Sequence, residues 1–274
     1  PSKEHRPNPI VEMGLSMDRD GIPLSMCITS GADNEQTTAI PLEQQMTKML
    51  KGKKFIYCAD AGLGSFNIRN FNSMGGRAFI VTQSIKKLSD PLKEAVFNDF
   101  DYRLLSTDEP VSLEHMKNFD RFDKTNEGLY NDRAYKVLTA DRAIDTGLYE
   151  EKVCKNGKVR NVKSKAVLKQ KIIISFSRKM MEYQRYIRNR QIERAKKLLK
   201  SLDPETYKKG PHDVTRFIKR TSSTKSGEKI NDRYELDQSV IDEEEKYDGF
   251  YAVATNLDDS AKDIIEISSN RYKI

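Results

Sequence analysis

Two short apolar runs joined through a glycine-bounded helix constrain this chain most. Phe55-Ile56-Tyr57-Cys58-Ala59 ends in Asp60-Ala61-Gly62, and Arg77 to Gln83 (RAFIVTQ) follows a helix expected over Ser65–Asn72. Ser65 suits the N-cap, and Gly75-Gly76 stops the helix. Two buried strands linked by one helical crossover must run parallel, because a tight turn can join only antiparallel strands. Asp60 therefore stands at the carboxyl tip of a strand, where α/β sheets gather ligands. An Asp before Ala-Gly also suits a plain loop or helix cap, and local sequence leaves the two readings open.

A hairpin and a helix precede this unit. Ile10 to Met17 and Ile22 to Thr29 read as strands around the turn Asp18-Arg19-Asp20-Gly21. Asp18 and Asp20 read as turn formers rather than catalytic groups, since Asp side chains bond the backbone two residues on. A helix is expected from Glu35 to Leu50. Beyond Ser89 the pattern is less regular up to Gln170, with short strand-like pieces such as Ala134 to Leu138 and a turn at Lys155-Asn156-Gly157-Lys158. Ile172 to Phe176 is a strand candidate. Gly210-Pro211 and Thr221 to Glu228 read as loops, Phe250 to Thr255 as a strand, and a last helix begins near Ser260.

Charge is segregated along the 274 residues. Glu151 to Ile230 holds 24 Lys/Arg and 7 Asp/Glu, a balance of +17, while the other 194 residues hold 24 and 34, a balance of −10; the net +7 hides both. Much of the excess lies on one long helix expected over 177–202, with Ser177 as N-cap and Asp203-Pro204 as its stop. Arg178, Arg185, Arg188, Arg190, Arg194 and Lys197 lie on it with Tyr183 and Tyr186 between them. Cations interleaved with aromatic rings suit a phosphate backbone, in contacts that are mostly non-specific and salt-dependent. A solvated helix packed on one face is the competing reading. The acidic run Asp242 to Glu245 reads as a solvated or capping cluster, or as one that orients the basic helix.

Several function classes lack their residues. Cys27, Cys58 and Cys154 have no C-x-x-C spacing, and His5, His115 and His212 lie far apart, so neither a disulfide framework nor a Cys/His zinc site is supported. No G-x-S-x-G elbow and no Walker A loop occurs, and Gly62-Leu63-Gly64 lacks the third glycine of a dinucleotide fingerprint. No apolar run reaches the ~18–20 residues of a membrane span. These features together are expected of a cytoplasmic protein.

Three blocks carry a resemblance. SKEHRPNPIVEMGLSMDRDGIPLSMCITSGADNEQTTAIPLEQQM is similar to the hairpin region of DDE transposases of bacterial insertion sequences. KKFIYCADAGLGSFNIRNF with RAFIVTQSIKKL resembles the block holding that family's second catalytic aspartate, and YDGFYAVATNLDDSAKDIIEISSNRYKI resembles the strand and helix leading to its glutamate. The resemblance implies a ribonuclease H-like α/β fold, a mixed sheet with a long basic α+β insertion before the last helix. Its parts would be a first core portion over 1–88, an insertion over 89–245 that includes the basic helix, and a last core strand and truncated helix over 246–274. It implies DNA transposition by cleavage and strand transfer with Mg2+ or Mn2+ on three carboxylates, of which Asp60 is the second.

The same resemblance places the first aspartate upstream of Pro1 and the glutamate just after Ile274. Arg271 matches the family arginine, while Ser268 stands where a tyrosine is usual, and Glu266 lies before the arginine rather than after it. An internal fragment is therefore expected, unable to catalyse transposition alone and short of a central strand between the hairpin and the strand ending at Asp60. Arg271 joins the helix cations as an expected DNA contact, and the full-length enzyme is expected to act as a homodimer on double-stranded DNA. A catalytically inactive DNA-binding remnant and a stand-alone metal nuclease are the other readings.

Overall fold

The computed structural model describes all residues except 1–10, 19, 21, 32–33, 50–54, 155–156, 202–206, 212, 226–227 and 271–274. Its first half runs β1 (Val11–Met17), β2 (Pro23–Ser30), α1 (Glu35–Met49), β3 (Ile56–Ala59), α2 (Phe66–Asn72), β4 (Ala78–Thr82), α3 (Asp90–Phe97) and β5 (Arg103–Leu104). Then come α4 (Leu113–Asn118), α5 (Glu127–Asn131), β6 (Ala134–Thr139), β7 (Arg142–Val153), β8 (Val159–Leu168) and β9 (Lys171–Phe176). The chain closes with α6 (Arg178–Lys200), β10 (Ile218–Lys225), β11 (Glu228–Leu236), α7 (Gln238–Glu245), β12 (Phe250–Thr255) and α8 (Ala261–Asn270). It divides into two compact units, one of residues 1–110, 135–175 and 251–274, the other of 111–134 and 176–250.

The first unit is built on a mixed sheet of strand order β3-β4-β12-β9-β6-β5. β3 and β4 run parallel, Ile56 opposite Ala78 and Ala59 opposite Val81, as the crossover between them requires. β12 lies antiparallel on the other side of β4. Ile80, Ile173 and Val253 pack with Ile264 and Ile265 of α8, and the alternate residues Phe79, Val81, Ile172, Ile174, Ala252 and Ala254 are buried as well. With both faces covered, these strands are apolar without alternation.

The hairpin β1–β2 forms a sheet of its own, and β3 stands at the end of the larger one. Its register sets Met13 opposite Ile28 and Leu15 opposite Met26, on a face exposed to solvent. The opposite face carries Gly14 beside Cys27; a Cβ at Gly14 would lie 2.7 Å from the Cys27 Sγ and 4.0 Å from Leu42 of α1. Small residues let the helix approach that side, and the larger apolar side chains point away.

Two regions differ from the sequence reading. The irregular stretch before Gln170 contains the long antiparallel hairpin β7–β8, and of the Ser/Thr/Lys stretch Thr221–Glu228, expected as loop, the described residues belong to strands: 221–225 to β10 and Glu228 to β11, which pair antiparallel. Ile218 pairs with Leu236 and Thr221 with Arg233; strands this polar lack the apolar alternation by which a half-buried strand is recognised, so the hairpin reads as loop.

One buried cation organises the end of α3. Lys136 on β6 is 7% exposed, and its Nζ donates to Ala95 O (2.8 Å), Asn98 O (3.3 Å) and Phe100 O (2.7 Å). It also lies 5.2 Å from the Tyr102 ring, whose hydroxyl donates to Val96 O at 2.7 Å. The lysine thus satisfies carbonyls that a helix leaves unpaired at its C-terminus. Burial pulls its ammonium below the usual lysine range, against the opposing carboxylates of Asp101 and Asp99. Lys136→Met keeps the stem and removes the donors, and is expected to lower unfolding free energy by about 2–3 kcal/mol, read from a urea midpoint. An unchanged midpoint would contradict this role.

Candidate functional site

In the first unit the Asp60 loop is held on all sides by side chains from other elements. Asp60 is exposed, and its Oδ1 accepts from Gly62 N (2.9 Å) and Leu63 N (3.1 Å). That closes a tight turn at the end of β3. Tyr57 of β3 donates to Leu63 O at 3.2 Å, Gln36 of α1 to Gly62 O at 2.9 Å, and Arg69 of α2 to Gly64 O at 2.9 Å. A Cβ at Gly64 would lie 3.2 Å from Val81 Cβ and 3.3 Å from Asp60 O, so a glycine lets the loop cross close over β4. The loop-capping reading of Asp60 therefore holds for Oδ1, while no described residue bonds Oδ2.

Burial sets the protonation of the supports. Arg69 is pulled down to about 10 by burial and then by the Arg142 charge. The Tyr57 phenol is pushed up by burial first and then, at the alkaline pH where it would ionise, by the neighbouring Glu43, Asp60 and Cys58 groups. Both stay protonated through neutral pH, as loop donors must. The bracing roles of Gln36 and Arg69 escape sequence reasoning because each spans elements that no local spacing connects.

Asp60 is one carboxylate, and a divalent cation needs more than one oxygen donor from protein and substrate together. Among the described residues no three His, Cys, Asp or Glu side chains converge. The described residues do not make a complete metal centre, and the turn at Asp60 by itself assigns no chemical step to Mg2+ or Mn2+. Asp18 acts as the turn former expected of it, its Oδ1 accepting from Asp20 N and Ile22 N, both at 2.9 Å.

In the second unit the chain anchors the basic helix before it presents any charge. Ser177 caps α6, its hydroxyl accepting from Met180 N at 3.4 Å. Ser177 N donates to Gly249 O at 2.9 Å, and Gly249 N to Gln184 Oε1 at 2.6 Å. Gly249 has φ +82°, and a Cβ there would fall 2.6 Å from Phe176 and 2.8 Å from both Met181 and Ser177 O. Only glycine fits at this crossing. Ala195 packs with Phe217, Ile218 and Ile241 to hold the far end.

The six helix cations divide into two sets. Arg178 is 17% exposed and pairs with Glu182 at 2.9 Å. Arg185 reaches Glu245 at 3.3 Å and Asp248 at 3.6 Å. Arg188 is buried in a hydrogen-bonded ion pair with Asp248. The acidic run before β12 thus orients the basic helix: Glu245 also lies 3.8 Å from Arg188, and Glu244 binds Arg216 at 2.8 Å. Arg190, Arg194 and Lys197 instead face solvent. With Tyr186, Asn189 and Glu193 they line a shallow concavity, and the Arg190 guanidinium lies 5.7 Å from the Tyr186 ring. Tyr183 and Tyr186 are 60% and 58% exposed on the same helix. Arg271 lies outside the described residues.

Among the described residues no helix is long and apolar enough to cross a membrane. No protein-family model matches the chain, and no curated protein matches it.

Proposed function

We propose that this chain is the DNA-handling portion of a DDE-type transposase, acting in cleavage and strand transfer at the ends of an insertion sequence. The observation that carries the reading is the solvent-facing stripe of α6, where Arg190, Arg194 and Lys197 stand clear of the carboxylates that occupy Arg178, Arg185 and Arg188. A row of exposed cations beside exposed tyrosines suits a phosphate backbone with accessible bases. Asp60, at the carboxyl end of a strand parallel to its neighbour, is the carboxylate the resemblance assigns to catalysis, with Mg2+ or Mn2+ as its metal. Supporting features are the βαβ unit and the resemblance of three sequence blocks described above. A ribonuclease H-like arrangement, a basic insertion, a cytoplasmic location and a homodimer on double-stranded DNA belong to the same proposal.

DNA binding without cleavage is the second reading, favoured by the presence of a single carboxylate at the tip of β3. Fluorescence anisotropy with a labelled duplex is expected to show binding that weakens steeply as salt rises from about 50 to 200 mM. Absence of binding at low salt would overturn both readings. Wherever the wild-type protein nicks DNA with added Mg2+ or Mn2+, Asp60→Ala is expected to abolish nicking and leave duplex affinity within about twofold, because charged-helix contacts set the affinity. Retained nicking removes Asp60 from the chemistry.

A further inference from the structure

Glu43 of α1 and Asn72 of α2 are buried, 4% and 0% exposed, and face each other across the two helices of the first unit. Asn72 Nδ2 donates to Glu43 Oε2 at 2.8 Å and to Ile68 O at 3.2 Å. The second oxygen of each group, Glu43 Oε1 and Asn72 Oδ1, is also buried and has no hydrogen-bond partner among the described residues. Two orphaned acceptors in one pair are expensive. An ionised carboxylate can only accept, and an amide oxygen can only accept, so neither can relieve the other. One proton resolves both.

We propose that Glu43 is a carboxylic acid in the folded protein, its Oε1–H donating to Asn72 Oδ1 while Asn72 Nδ2 donates to Glu43 Oε2, so that an eight-membered acid–amide ring clasps α1 to α2. The surroundings fit a neutral group. Burial pushes the Glu43 carboxyl up to about 7, with the Asn72 hydrogen bond and the Arg77 charge opposing. Arg77 gives its Nε and Nη2 to Phe71 O and stacks 4.1 Å from the Phe71 ring, so it acts on Glu43 only through space. From β3, Tyr57 faces the same region as a neutral phenol; Asp60 bears on Tyr57. From β2, Cys27 lies beside Gly14 on the hairpin face that meets α1.

The clasp makes the fold sensitive to pH in a definite direction. The unfolded carboxyl titrates near 4.5 and the folded one near 7, so the folded state keeps a proton that the unfolded chain has lost. Stability from the pair is complete below the unfolded value and is lost as pH rises through about 7. Because α1 also braces the Asp60 loop through Gln36 and Gly62 O, the same proton secures that loop.

Glu43→Gln tests the ring directly, since its amide supplies the N–H that an ionised Glu43 lacks and can close a two-bond ring with Asn72. The melting temperature of the wild-type chain is expected to fall relative to Glu43→Gln between about pH 5 and pH 8, leaving the variant roughly 2–8 °C more stable at the upper end. In the wild type, the carbon-13 resonance of the Glu43 carboxyl is expected to titrate with a midpoint near 7. A variant that melts below the wild type at high pH, or a Glu43 resonance that titrates in the ordinary carboxylate range, overturns the proposal. Neither readout involves DNA, so the outcome is independent of the function proposed above.

Discussion

Replacing Arg188 by alanine is expected to destabilise the second unit by about 3–5 kcal/mol, the cost of breaking a buried ion pair from one side. The side chains of Arg188 and Asp248 are 7% and 6% exposed, so water cannot take the place of the missing cation. Asp248 would keep a buried negative charge, with Arg185 at 3.6 Å as its remaining described partner. The cost is dominated by that stranded charge rather than by the lost attraction. Asp248→Asn leaves an amide oxygen that can still accept from Arg188, which also keeps Glu245 at 3.8 Å. It should therefore cost less than Arg188→Ala, and the double variant Arg188→Met with Asp248→Asn should be milder than Arg188→Ala alone. Denaturant midpoints of the three variants decide the matter. If the double variant is as damaging as Arg188→Ala and Asp248→Asn added together, the pair contributes through something other than mutual neutralisation. Breaking the pair would also unseat α6, because Asp248 adjoins Gly249, whose backbone holds Ser177 and Gln184.

The second large effect concerns DNA. Substituting Arg190, Arg194 and Lys197 together by Gln is expected to lower the slope of log affinity against log salt by about 2.7, close to 0.9 for each phosphate left without its cation. If wild type and variant converge near 1 M salt, that slope corresponds to a loss of about two to three orders of magnitude at 0.1 M. Arg178→Gln is the contrasting variant. Its guanidinium is already paired with Glu182 and largely covered, so the slope should stay as in the wild type. Equal losses from both variants would mean that net charge alone, rather than the exposed stripe, governs binding.

The helix shows why charge along a sequence overstates charge on a surface. Nine basic residues from Arg178 to Lys200 stand against Glu182 and Glu193 in the chain. Folding brings Glu245 and Asp248 to the same helix and consumes Arg185 and Arg188. Spacing alone assigns Arg188 a helical position one turn beyond Gln184; its burial depends on an aspartate 60 residues further along. The Asp60 loop behaves in the same way. Its place at a strand tip was legible from the apolar run and the Ala-Gly that follows, while the donors that fix it come from α1 and α2.

By itself the sequence determined the βαβ unit around Asp60, the two strands of the first hairpin to within a residue, the Ser177 cap of α6 and the turn-forming role of Asp18. Each rests on signals within a few residues: apolar runs, glycine stops, cap side chains and turn carboxylates. Only the tertiary structure decided which cations remain exposed, that Lys136 closes the end of α3, and that Glu43 meets Asn72. Those outcomes depend on partners brought together from distant parts of the chain. Burial then sets their energetics, because a charge or an unpaired oxygen costs little in water and a great deal inside the protein.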